Sequence, residues 1–111
     1  MVYILNTRYE IFYRNRKDDV ELEDADGYVD FYNKKIVICN LDDWTNTTPK
    51  AIAERMKETL RHEIIHAFLF ESGLSTCSGY TDHWAKNEEM VDWIAIQGPK
   101  IHEAWKSAGA I

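Results

Sequence analysis

The chain has 111 residues, about the length of one domain. Hydrophobic residues make up 45% and charged residues 29% of it, which is typical of a globular protein and argues against a disordered or fibrous chain. The net charge of −6 argues against nucleic acid as a partner, because an acidic surface repels phosphate backbones. No apolar run approaches the length of a membrane span, and the first ten residues lack the pattern of a signal peptide.

The cysteine content indicates a reducing environment. Cys39 and Cys77 are too few for a disulfide scaffold, and they do not form a CxxC motif. We therefore expect two reduced thiols in a cytoplasmic protein.

The first 41 residues carry the signals of β-strands. Short runs of β-branched, aliphatic and aromatic residues occupy positions 2–5 and 9–13, and a hairpin is predicted from 27–32, a turn and 36–39. These runs predict a three- or four-stranded, largely antiparallel sheet. The acidic stretch 18–26 between them is predicted to be a solvated loop or an edge of the fold.

A long helix is predicted next. Thr48 is placed to cap it, Pro49 occupies its first position, and Gly73 is placed to end it after Glu71 or Ser72. Its buried stripe is predicted from apolar residues that recur near the helical period, namely Ile52, Met56, Leu60, Ile64 and Phe68.

The rest of the chain predicts two further helices. A loop over 73–81 precedes a second helix, capped by Asp82 and running to about Gln97, and Gly98-Pro99 is expected to break it. A short third helix is expected over 99–108. The predicted fold is a single α+β domain, with the small N-terminal sheet packed on the long helix.

A candidate metal site lies in that long helix, in the sequence His62-Glu63-Ile-Ile-His66. Residues four apart share one face of a helix, so both imidazoles can approach one ion. Glu63 lies beside the pair and can reach a water without being a ligand, which is the HExxH arrangement with glutamate as general base. The alternative is a pair of helical histidines that only form local hydrogen bonds.

A catalytic zinc site needs a third protein ligand. The candidates follow downstream: His83, Glu88, Glu89, Asp92 and His102. Glu88 and Glu89 both lie on apolar stripes of the second helix, so periodicity does not decide between them. Tyr80, His83 and His102 are also candidates to donate a proton to a transition state.

The segment Asn87-Glu88-x-x-x-Asp92 resembles the downstream motif of the gluzincins, the thermolysin-like zinc peptidases. The resemblance covers about residues 60–97 and extends to small metallopeptidases carried by phages. It implies that His62, His66 and Glu88 bind Zn²⁺, that Glu63 is the general base, and that Asp92 orients His62. It favours Glu88 over Glu89, and the large C-terminal domain of thermolysin has no counterpart here.

The function expected from these residues is zinc-dependent hydrolysis of peptide bonds in a peptide or protein substrate. We expect the substrate to lie along an exposed edge of the sheet, with residues 36–39 as the candidate edge. Two alternatives stay open, a zinc-binding module without turnover and a zinc hydrolase that acts on a non-peptide substrate.

Overall fold

The N-terminal part of the chain forms one mixed sheet. The computed structural model describes residues 1–77 and 84–111. Within them, four strands form a sheet in the order β1-β2-β4-β3. The strands are β1 (Val2–Ile4), β2 (Thr7–Arg14), β3 (Gly27–Asp30) and β4 (Lys35–Cys39). The predicted α+β class is confirmed.

The strand order corrects one expectation about the edge of the sheet. β1 pairs antiparallel with β2, and β3 pairs antiparallel with β4, which confirms the predicted hairpin, but β2 and β4 pair in parallel. β4 therefore lies between two strands, and the expectation that residues 36–39 form an exposed edge is wrong. The edges of the sheet are β1 and β3, and β3 rather than β4 is the outer strand of the hairpin, because the chain crosses over between β2 and β3.

The core lies on both faces of the sheet. The helix α1 (Pro49–Glu71) covers one face, where the buried residues are Ile4, Tyr9, Ile36, Ile38 and Ala67. The other face is covered by the segments that flank β3 and β4, and its buried residues are Leu22, Val37, Cys39 and Leu41.

Helix α1 begins and ends where the sequence predicts. The Thr48 side chain accepts a hydrogen bond from the Ala51 backbone N–H, and Gly73 has the positive φ of 81° expected after a helix end. The prediction for Phe68 is wrong, since this side chain is exposed. Steps of four residues advance 40° beyond a full turn each, so Phe68 points about 160° away from Ile52. Ala67 is buried on the sheet side in its place.

The acidic stretch 18–26 is anchored to the body of the protein. It includes a 3₁₀ turn (Val20–Leu22) whose Leu22 is fully buried. The Arg16 guanidinium donates hydrogen bonds to the backbone oxygens of Leu22 and Ala25 and to the Asp26 carboxylate. Arg14 bonds to Asp19 and Arg55 to Asp26, so the stretch that was predicted to be a solvated loop or an edge is held in place by three arginines.

The C-terminal part differs from the expected pair of helices. A short helix α2 (Leu74–Cys77) lies within the predicted loop, and a 3₁₀ turn (Trp84–Lys86) precedes the helix α3 (Glu88–Ser107). The cap of α3 is Asn87, whose side chain accepts from the Met90 N–H. The expected cap, Asp82, lies outside the described residues.

Helix α3 continues through Gly98-Pro99, so the expected break is absent. Proline has no N–H to donate to the carbonyl of the residue four positions earlier, which is Ala95. In this fold Arg61 Nε donates to the Ala95 oxygen at 2.6 Å. The side chain of α1 therefore replaces the missing backbone donor, and the expected helix over 99–108 is the second half of α3.

In the ranges 1–77 and 84–111, none of the helices combines the length and the apolar character that crossing a membrane requires.

Candidate metal centre

His62 and His66 meet on the side of α1 that faces the start of α3, and their spacing predicts that they share one face. Their Nε2 atoms lie 3.2 Å apart, and their rings make an edge contact with centroids 4.8 Å apart. Both side chains are largely buried, at 17% and 18% exposure. Both rings therefore direct a nitrogen toward the same small volume.

Glu88 completes the cluster from the first turn of α3. Its carboxylate oxygens lie 3.5 Å from His62 Nε2 and 2.5 Å from His66 Nε2. Asn87 caps the helix at this point, so Glu88 is its first residue. Both glutamates are exposed, but the structure brings Glu88 to the two histidines and leaves Glu89 outside this cluster.

Asp92 lies one turn after Glu88 on α3 and contacts the other nitrogen of His62. Asp92 Oδ1 and His62 Nδ1 are 2.8 Å apart. A carboxylate in this position accepts the Nδ1–H, which leaves the lone pair of His62 on Nε2, facing the cluster.

The three side chains have the spacing of a tetrahedral metal site. Their ligand atoms all lie within 4.8 Å of one another. In a tetrahedral zinc site with bond lengths near 2.0–2.1 Å, ligand atoms are about 3.3 Å apart. The distances of 3.2 and 3.5 Å that involve His62 Nε2 are close to this value, whereas the 2.5 Å between Glu88 and His66 Nε2 is a hydrogen-bond distance that would lengthen around an ion. Three protein donors would occupy three corners of such a site and would leave the fourth for water or substrate.

Glu63 lies beside the cluster and is buried. Only 6% of the residue is exposed. Burial raises the pKa of this carboxyl to about 7, with the nearby charges of Glu88 and Asp92 acting in the same direction. A carboxyl with a pKa near neutral pH can both accept and release a proton there.

A cleft of about 560 Å³ connects this cluster with the edge of the sheet. Its walls come from β3 and the residues around it, from α1 and from the start of α3; they include Gly27, Val29, Phe31, Glu63, His66 and Glu88. The sequence placed Phe31 inside the predicted strand 27–32 but did not connect that strand with the site, because strand order cannot be read from an alternating pattern. In the structure β3 ends at Asp30, so Phe31 follows it directly, and an aromatic residue at the end of this run was the available signal.

Of the other candidates, His102 lies in the described part of the chain and does not join the cluster. His102 is exposed on the far half of α3, and its nearest charged neighbour is Glu103, 4.0 Å away. Tyr80 and His83 lie outside the described residues, so their predicted roles stay predictions.

Comparison of the chain with protein-family models, with curated proteins and with solved structures finds no match.

Proposed function

We propose that this chain is a zinc-dependent metallopeptidase of the gluzincin type, small enough to consist of one domain. The observation that carries the proposal is the convergence of His62, His66 and Glu88 beside the buried carboxyl of Glu63. Imidazole nitrogens and carboxylate oxygens are common zinc ligands, and a set of three protein ligands is typical of catalytic rather than structural zinc sites. Zinc bound there would polarise an amide carbonyl and lower the pKa of a water to about 7.

The residues of the chain divide the remaining work between them. Glu63 takes the proton of the attacking water and passes it to the leaving nitrogen of the peptide bond. Asp92 holds the His62 ring in the tautomer and orientation that binding requires. Burial raises the pKa of Glu63 to about 7, and proton exchange is efficient when the pKa of the exchanging group is close to the surrounding pH.

The free edge of β3 supports a peptide as the substrate. Gly27, Tyr28 and Val29 of this strand line the cleft that contains the two histidines. The outer edge of a strand offers backbone N–H and C=O groups with which an extended peptide can pair. A peptide bound in this way would pass the cluster with its backbone held in register.

A cytoplasmic location, expected from the sparse cysteines, belongs to this proposal.

Elemental analysis and a proteolysis assay test the proposal together. Purified protein is expected to hold about one zinc per chain and to cleave an unfolded protein such as reduced casein, with the activity lost in o-phenanthroline and regained with zinc. Glu63→Gln is expected to keep zinc and to lose at least 100-fold in rate, because it cannot accept the proton. Glu88→Ala is expected to lose zinc, whereas its neighbour Glu89→Ala is expected to keep both zinc and activity.

The alternatives predict other results. Zinc bound without cleavage of any peptide would favour a binding module or a hydrolase of another substrate. Loss of zinc from Glu89→Ala but not from Glu88→Ala would contradict the assigned ligand set. Full activity in Glu63→Gln would remove this residue from its role.

A further inference from the structure

An aromatic stack borders the cleft beside His66. We propose that it forms a subsite for an apolar side chain of the substrate, and that Phe31 is the residue that determines this specificity. The inference rests on the proposed peptidase function and names the class of peptide that the site would take.

The position of the stack places it close to the reacting bond. Phe31 lines the cleft together with Glu63 and His66. Its ring stacks on Phe70, with centroids 4.4 Å apart and an interplanar angle of 16°. Phe70 follows His66 by four residues, hence by one helical turn or about 6 Å along α1. Since an extended peptide advances about 3.3 Å per residue, the stack can meet a side chain one or two residues from the cleaved bond.

The ring of Phe31 is held from behind. Phe70 covers one of its faces, and Lys34 Nζ lies 5.1 Å from the centre of the Phe70 ring. Lys34 is fixed in turn by an ion pair with Glu71, at 2.7 Å. Phe31 therefore presents a supported, half-buried apolar wall to the cleft. In this arrangement Phe70 is a positioning residue, because it acts on the substrate through Phe31.

The opposite end of the cleft is charged. Arg55, two helical turns before His62, donates hydrogen bonds to the carboxylates of Asp26 and Glu58. These ionic groups are already paired and hydrated, so an apolar side chain gains little beside them. A carboxylate against Phe31 would lose water without gaining a partner, and an ammonium group would recover only a modest cation–π attraction to the ring. The cleft is thus apolar at the His66 end and polar at the Arg55 end, which gives a bound peptide a preferred position.

Peptide binding tests this inference apart from turnover. The probes are fluorescein-labelled decapeptides of Gly, Ala and Ser with a single Phe, Leu, Lys or Asp. Their binding to zinc-loaded Glu63→Gln protein is measured by fluorescence anisotropy. The Phe and Leu peptides are expected to bind at least 10-fold more tightly than the Lys and Asp peptides. Adding Phe31→Ala to this protein is expected to remove most of that preference. The Kd of the Lys and Asp peptides is expected to change by less than 2-fold.

Phe68→Ala is the matched control, because it also removes a phenylalanine ring. Phe68 lies on α1, as Phe70 does, but points away from Phe70 and from the stack. This variant is expected to leave the preference unchanged. Phe31→Leu keeps an apolar wall and is expected to retain most of the preference, which also covers the case in which Phe31→Ala does not fold. Phe70→Ala is expected to raise KM for the Phe peptide with less effect on kcat, and Phe70→Leu to restore part of the loss.

The outcomes separate this inference from the proposed function. Cleavage of peptides without any dependence on an apolar residue or on Phe31 would overturn the subsite and leave the peptidase standing. Binding of Phe and Leu peptides that depends on Phe31, without cleavage by the unsubstituted protein, would support the subsite and overturn the peptidase. Equal weakening of all four peptides by both Phe31 variants would also overturn the subsite.

Discussion

At the scale of single residues, the buried carboxyl of Glu63 is the most costly group near the cluster. It lies in α1, where 6% exposure leaves it little water, and its pKa is raised to about 7. A carboxyl with a raised pKa in the folded state opposes folding once the pH exceeds its ordinary value, because the unfolded chain then releases its proton first. Glu63 is thus retained at the expense of stability.

This cost predicts that Glu63→Gln stabilises the metal-free protein at neutral and alkaline pH. Below about pH 4.5 Glu63 is protonated in both the folded and the unfolded state. Its titration then contributes nothing to the difference in unfolding free energy between the variant and the unsubstituted protein. Between pH 4.5 and 8 the difference in unfolding free energy is expected to grow in favour of the variant, by at most about 3 kcal/mol. Urea unfolding in EDTA at several pH values measures it.

The exposed pair of Arg8 and Glu10 offers a control. Glu10→Gln is expected to change the unfolding free energy by less than about 1 kcal/mol at any of these pH values, because the ion pair is solvated. A difference for Glu63→Gln that stays constant with pH would contradict the raised pKa.

The third ligand marks how far residue patterns can predict the site. His62 and His66 could be paired from spacing alone, since four residues bring them onto one face of a helix. Glu88 and Glu89 could not be separated in this way, because each belongs to an apolar stripe. The contact of Glu88 with the histidines depends on where α3 begins and how it crosses α1, and both are tertiary features.

At the scale of secondary-structure elements, α3 shows how a tertiary contact overrides a local signal. Gly98-Pro99 predicts a helix end, yet the helix continues to Ser107. The Ala95 carbonyl that Pro99 leaves without a backbone donor accepts from Arg61 instead. A sequence pattern describes only neighbours along the chain, so it could not reveal a donor from another helix.

This contact predicts that the stability lost on substitution of Arg61 depends on the presence of Pro99. Arg61→Met is expected to lower the unfolding free energy by about 1–3 kcal/mol, because the Ala95 oxygen loses its partner. In a Pro99→Ala background the backbone N–H of residue 99 can take its place, so the same substitution is expected to cost less than half as much. A double-mutant cycle followed by chemical denaturation measures the coupling.

Arg8→Met serves as the control for the loss of an arginine, since Arg8 is exposed and far from α3 in the sheet. It is expected to have little effect in either background. Equal costs of Arg61→Met with and without Pro99 would show that the Ala95 carbonyl is not what Arg61 stabilises.

At the scale of the whole molecule, the proposed metal adds a direct link between the helices α1 and α3, which already pack against each other. In α3, which lies wholly in the described part of the chain, Val91 and Ala95 are the buried residues. Two ligands come from α1 and one from α3, so a bound ion would join the helices directly. The sheet and α1 have their own core and do not depend on this link.

Zinc is therefore expected to oppose every opening that separates α3 from α1. At a free zinc concentration of 100 times the Kd, the unfolding free energy should rise by about 2.7 kcal/mol. Hydrogen exchange over residues 88–97 should slow by at least 10-fold, and strand amides that exchange only through global unfolding should slow as well, because every state without the site is disfavoured equally. The effect should fade on acidification, because zinc binds only the neutral imidazole. Burial lowers the pKa of His66 and so moves its protonation to lower pH.

Hydrogen–deuterium exchange with mass spectrometry, with and without zinc, makes this measurement. Glu88→Ala is expected to show no zinc effect, whereas Glu89→Ala is expected to behave as the unsubstituted protein. Unchanged exchange over residues 88–97 in the presence of zinc would contradict a ligand from α3.

The overall class of the fold followed from the order of strand and helix signals, but the arrangement of the strands did not. Residues 27–32 and 36–39 were predicted as a hairpin, and β3 and β4 form one. Which of the two borders the cleft depends on the parallel pairing of β2 with β4, and no local pattern encodes that pairing. Phe31 was missed for the same reason, since its place beside His66 follows from β3 being the outer strand.

The far half of α3 has a practical consequence for handling the protein. Residues 102–111 are all exposed, and Ser107 stands about 28 Å along the helix from Glu88. An affinity tag or a surface tether fused after Ile111 would thus stand well clear of the cleft. Protein immobilised through this end should present its cleft to the solution, which suits the screening of peptide libraries on a chip.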